Sequence, residues 1–78
     1  MYNFSNNIRI RTCYELSFLV DITNNTLFVL KSKTLKFLQV KLSEGLTIEK
    51  LNLFDSSFIT FIKELEKQNI LEMIDNEI

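Results

Sequence analysis

At 78 residues, with nearly half of them apolar, one glycine and no proline, the chain suits one small domain and offers no flexible break for a second. Cys13 is the only cysteine and histidine is absent, which excludes an intrachain disulfide and the usual structural zinc sets. The net charge of −1 hides an asymmetry, because residues 1–41 hold six basic and two acidic side chains while residues 42–78 hold three and eight. Met1 to Phe4 lacks a basic n-region leading into a long apolar stretch, and no apolar run approaches the ~20 residues that span a bilayer. A cytoplasmic location without membrane contact is the expectation.

Residues 1–6 read as frayed. Ile8-Arg9-Ile10-Arg11 then alternates apolar and basic, the period of two of a half-buried strand with both arginines on its wet face. Ser17 to Asp21 and Thr26 to Leu30 are rich in β-branched and aromatic types and predict second and third strands. Between them Asn24-Asn25 can supply the positive φ of a tight turn, so the three strands read as an antiparallel meander.

Only helical patterning follows until the C-terminal end. Ser32 is the expected N-cap of a helix running to about Ser43, stopped by Gly45, with Leu35, Leu38 and Leu42 on one face and Phe37 and Val40 on another. Two apolar sides predict a central helix, touching the sheet and a neighbouring helix. Thr47 caps a short second helix with Glu49 in its first turn and Ile48 and Leu51 as buried contacts. A third helix begins near Asp55 or Ser56, carries Phe58, Phe61, Ile62 and Leu65 at three- and four-residue spacing, and ends near Gln68 or Asn69. Ile70-Leu71 then folds back onto the core, and residues 74–78 read as frayed.

The order predicts an α+β fold, a three-stranded antiparallel sheet followed by three helices, winged helix-turn-helix-like. Catalysis is not expected: without histidine or a spaced carboxylate pair the chain lacks acid-base machinery, and Cys13 reads as a small buried hydrophobe. No cofactor or metal is expected.

Over about residues 8–72 the chain resembles the PqqD-like RiPP recognition elements, small domains serving the biosynthesis of ribosomally made, modified peptide natural products. The matching features are Ile8-Arg9-Ile10-Arg11, a hairpin ending in Leu30 and followed by a helix, Gly45-Leu46-Thr47 with Ile48-Glu49-Lys50-Leu51, and Phe61-Ile62-Lys63-Glu64-Leu65 to Ile70-Leu71. It departs from the family at Lys31, where asparagine is frequent, at Asn69 in place of glycine, and in lacking a glycine before the second strand. The resemblance implies a peptide chaperone. The leader segment of a precursor peptide would add as an antiparallel strand to the third strand, in a cleft walled by the third helix, and be presented to a separate maturation enzyme such as a radical SAM enzyme, a leader protease or a cyclodehydratase.

Carried onto this chain, the backbone of Thr26, Leu27, Phe28, Val29 and Leu30 would pair with the guest, with Ile59, Ile62, Lys63 and Glu66 forming the wall. Strand alternation separates Leu27 and Val29 from Thr26, Phe28 and Leu30. We expect Phe28 and Leu30 in the core with Leu27 and Val29 toward the cleft, the alternative being that the chain's own helices cover both faces. Ile59 is the surplus apolar residue of the third helix, and Lys63 beside it can meet a guest carboxylate.

Two other readings stand beside this one. A DNA-binding winged helix would place the third helix in a major groove, but Lys63 and Lys67 are offset by Glu64 and Glu66, and binding phosphates needs a net basic footprint. A structural subunit would pair its open strand with its own copy, giving a homodimer, or with an enzyme domain.

Overall fold

The computed structural model describes residues 1–74. Its main sheet is the expected meander: β2 (Ile8–Cys13), β3 (Leu16–Asp21) and β4 (Thr26–Lys31), antiparallel in the order β2-β3-β4. A second, two-stranded sheet pairs β1 (Tyr2–Phe4) with β5 (Leu71–Met73). The helices between are α1 (Ser32–Ser43), α2 (Ile48–Leu51) and α3 (Ser56–Lys67), so the chain is α+β, with a three-stranded antiparallel sheet and three helices.

The first residues correct the expectation of a frayed start. Tyr2 is buried, its amide donates to Leu46 O at 2.8 Å, and β1 registers Tyr2 with Met73 and Phe4 with Leu71. The clasp continues to Ile74, whose amide donates to Met1 O at 2.7 Å, while residues 75–78 of the expected frayed tail lie outside the described residues.

Local chemistry explains the turns. Cys13 and Leu16 close the first hairpin over Tyr14-Glu15, and Tyr14 holds φ +57°. Asp21 and Thr26 close the second hairpin, where Asn25 takes φ +55°. Asp21 organises that loop: its carboxylate accepts from Asn7 Nδ2 at 2.6 Å, the amides of Thr23 and Asn24, and Asn24 Nδ2.

Ser32 is not the cap of α1. That position falls to Lys31, which makes no side-chain cap bond, and the Ser32 hydroxyl instead donates to Tyr14 O at 2.9 Å and meets Ser17 Oγ at 2.9 Å, tying the helix start to both hairpins. Thr47 caps α2 as expected, accepting from Lys50 N, and Asp55 caps α3, accepting from Phe58 N. Asn69, at φ +63°, ends α3: its amide donates to Glu66 O and that of Ile70 to Leu65 O, the paired bonds of a Schellman closure.

Leu19 and Leu30 of the sheet, Leu35 and Leu38 of α1, Leu51 of α2 and Ile62 and Leu65 of α3 form one core with Ile70 and Leu71. Ile48 stands apart: it is exposed, so Leu51 alone anchors α2. The second side of α1 is only partly covered. Phe37 meets Phe58 edge to face at 5.5 Å between centroids but stays about half exposed, as does Val40. No described helix is long and apolar enough to cross a membrane.

Candidate functional site

A meander of three strands has two edges, and here they differ. β2 ends the sheet with Arg9 and Arg11, and the Arg9 guanidinium folds back to donate to Asn6 O at 2.9 Å and Ile8 O at 3.2 Å. Charged side chains of this kind blunt an edge against further pairing. β4 reads Thr26-Leu27-Phe28-Val29-Leu30 and pairs only with β3, so alternate residues direct amide and carbonyl groups away from the sheet. Among the described residues no other hydrogen bond reaches that strand's backbone. Five uncharged residues in a row at an open edge suit the addition of an extended chain.

The side chains of β4 divide cleanly. Leu30 is buried and Phe28 half-buried against the core, while Thr26, Leu27 and Val29 are exposed. Leu19 lies across from Phe28 and Ser17 across from Leu30, both buried, so this is the face the helices cover. Phe28 and Leu30 point inward as expected. Leu27 and Val29, expected toward a cleft walled by α3, lie on the opposite face, because any residue one step from Phe28 along a pleated strand leaves the helical side.

The residues of α3 divide too. Ile62 is wholly buried in the core and therefore backs the site rather than lining a groove, a correction to its expected role. Ile59 is half-buried against the same core and Lys63 is exposed. Glu66 is half-buried and already engaged, accepting from the Tyr2 hydroxyl at 3.3 Å. Burial and the neighbouring Glu66 carboxylate both raise the Tyr2 pKa, so its phenol stays protonated. Phe28, Leu30, Ile59 and Ile62 thus belong to one packed body, with Leu27 and Val29 outside it. The closest packing of α3 onto a strand is against β5, whereas β4 is held by β3 and α1.

Asp21 is the most buried carboxylate of the sheet, and its pKa is lowered chiefly by the Asn7 and Asn24 side-chain hydrogen bonds, which outweigh burial acting the other way. This is a structural anion holding a loop. Among the described residues no group of three or more His, Cys, Asp or Glu side chains converges to hold a metal ion. Cys13, expected to be buried, is exposed, since its place in β2 puts it on the side away from the helices.

Two surfaces escaped the sequence reading. Phe37, Phe54, Phe58 and Phe61 line a shallow concavity beside the exposed Leu53, with Lys41 Nζ 5.3 Å from the Phe37 ring centre. The other is the outward face of the main sheet. Its three cross-strand rows are Arg9-Val20-Leu27, Arg11-Phe18-Val29 and Cys13-Leu16-Lys31. The signal for it was present in β3, where only one parity of Leu-Ser-Phe-Leu-Val-Asp can face the core.

No family model, curated protein or solved structure matches the chain.

Proposed function

We propose that the protein is a peptide chaperone of the PqqD-like, winged-helix type, capturing the leader of a ribosomally made precursor by strand addition to β4 and presenting it to a separate modifying enzyme. The observation that carries this reading is the open, uncharged edge of β4, set against an opposite edge blunted by Arg9 and Arg11. Main-chain bonds at about 1 kcal/mol net each do not overcome the cost of ordering a peptide, so apolar anchors must add to them. Phe28 and Ile59, half-buried and backed by Leu30 and Ile62, are the anchor surface for guest side chains turned toward the helices. Lys63 supplies a cation for a guest carboxylate. Glu66 acts indirectly, holding Tyr2 and with it the β1 clasp. Holding the leader raises the effective concentration of the core peptide at the enzyme.

The test is calorimetric titration with a synthetic extended peptide carrying leucine at alternate positions and one glutamate, using wild type, Val29→Pro on the open edge and Ile10→Pro, whose amide faces away from β3, on the blunted edge. Proline removes an amide donor and fixes φ. Loss of binding in Val29→Pro but not in Ile10→Pro, with both folded by circular dichroism, is the expected result. If either variant unfolds, amide exchange in wild type decides, because strand addition must slow exchange along β4. Retained affinity in a folded Val29→Pro, or unchanged exchange, removes strand addition at this edge. Tight, salt-sensitive binding of random duplex DNA would favour the regulator reading instead.

A further inference from the structure

In a two-layer fold the solvent side of an antiparallel sheet ordinarily carries the polar half of each strand's alternation. Here β3 does the reverse. Ser17, Leu19 and Asp21 are turned inward and buried, whereas Leu16, Phe18 and Val20 are turned outward beside Leu27 and Val29 of β4. Leu16, Leu27 and Val29 are 46%, 59% and 45% exposed, and none of the outward five belongs to the core or packs against it. The polar residues inside are all satisfied, Ser17 by Thr12 and Ser32 and Asp21 by the loop, so the inversion is not an accident of an ill-packed strand.

The face has a definite shape and sign. The apolar strip runs along β3 and β4, and with β2 the three strands, about 4.8 Å apart, make a face roughly one helix wide, since a helix with its side chains is about 10 Å across. Its flanks carry Arg9 and Arg11 on β2 and Lys31 on β4, and no outward position of the three strands is a carboxylate. Two copies of the face laid together would bring cations to a surface without anions, whichever way they were turned. Contact with another copy's acidic half would be head-to-tail and would not close.

We propose that the outward sheet face docks a helix of a partner protein, apolar along one stripe and flanked by glutamate or aspartate, separately from the peptide that adds to β4. Such a helix supplies the missing third layer, and its carboxylates meet the Arg11, Arg9 and Lys31 flanks.

The experiment is an amide-resolved NMR titration of the full chain with a synthetic helical peptide bearing leucine at i, i+3, i+4 and i+7 and glutamate on both flanks, against the same peptide with lysine replacing glutamate. Shifts confined to β2, β3 and β4, with the glutamate peptide binding at least tenfold tighter than the lysine peptide and weakening in salt, are expected. Arg11→Glu should lower the affinity at least tenfold at an unchanged melting temperature, and Phe18→Thr should do the same without altering the salt dependence. Equal binding of the two peptides, or shifts centred on the Phe37 and Phe58 surface, overturns the proposal. So does concentration-dependent self-association by light scattering, or binding to phosphatidylglycerol vesicles without binding to the glutamate peptide.

Discussion

The inner and outer faces of the three-stranded sheet are built from alternate residues of the same strands, yet the more polar set of β3 is the buried one. Ser17 and Asp21 are 0% and 1% exposed, while Phe18 and Val20 face outward. Within β3, therefore, hydropathy did not choose the inward parity. What chose it was Leu19 together with hydrogen-bond partners: the Asn7, Thr23 and Asn24 donors around Asp21, and the Thr12 and Ser32 hydroxyls beside Ser17. A buried polar group with its partners in place costs little, which left the apolar parity free for the outside.

The largest difference between the two faces is expected from matched truncations. Leu19→Ala should cost about 2–5 kcal/mol in urea unfolding, and Leu27→Ala should stay within about 0.5 kcal/mol. Comparable losses would mean that the outward face is core after all. Next comes the buried carboxylate. Because the folded Asp21 pKa lies below its ordinary value, its contribution is fully present above about pH 4 and is lost as the pH falls through the folded pKa. Urea midpoints measured down from about pH 5 should fall more steeply for wild type than for Asp21→Asn, and parallel curves would remove Asp21 as the anchor of the inner face.

Smaller effects test how the inner side is sealed. Gly45 holds φ +88°, and a Cβ there would lie 3.1 Å from Met1 Sδ, so Gly45→Ala should cost about 1–2 kcal/mol in thermal or urea unfolding. Tyr2→Phe removes only the bond to Glu66 and should cost about 1 kcal/mol in urea unfolding.

Much of this fold was legible in the residues. The meander, α1 to α3, the Thr47 cap and the left-handed Asn69 follow from alternation, helical spacing and capping chemistry, all of them local. β1 and β5 were not, because Tyr2-Asn3-Phe4 and Leu71-Glu72-Met73 are too short to show a period and pair only through the whole fold. The open edge of β4 could be read from the absence of a following strand. The burial of Ile62 was legible as well, from its place with Leu65 in the apolar stripe of α3, whereas the engagement of Glu66 was not, since it depends on Tyr2. The exposure of Cys13 follows from the parity it shares with Arg9 and Arg11, whereas the displaced role of Ser32 depends on contacts with Tyr14 and Ser17 that no single segment encodes.

The clasp between β1 and β5 also bears on the order of folding. The meander closes through turns of two and four residues, Tyr14-Glu15 and Ile22 to Asn25, whereas Tyr2 finds Met73 only across nearly the whole described chain. Loop-closure entropy places that long-range contact late on the folding path and makes it the first to open in native-state fluctuations. With no proline in the chain, no slow prolyl isomerisation separates the two stages. Opening of the clasp would uncover Leu46 at one end of the core while leaving the strands that carry the open edge paired.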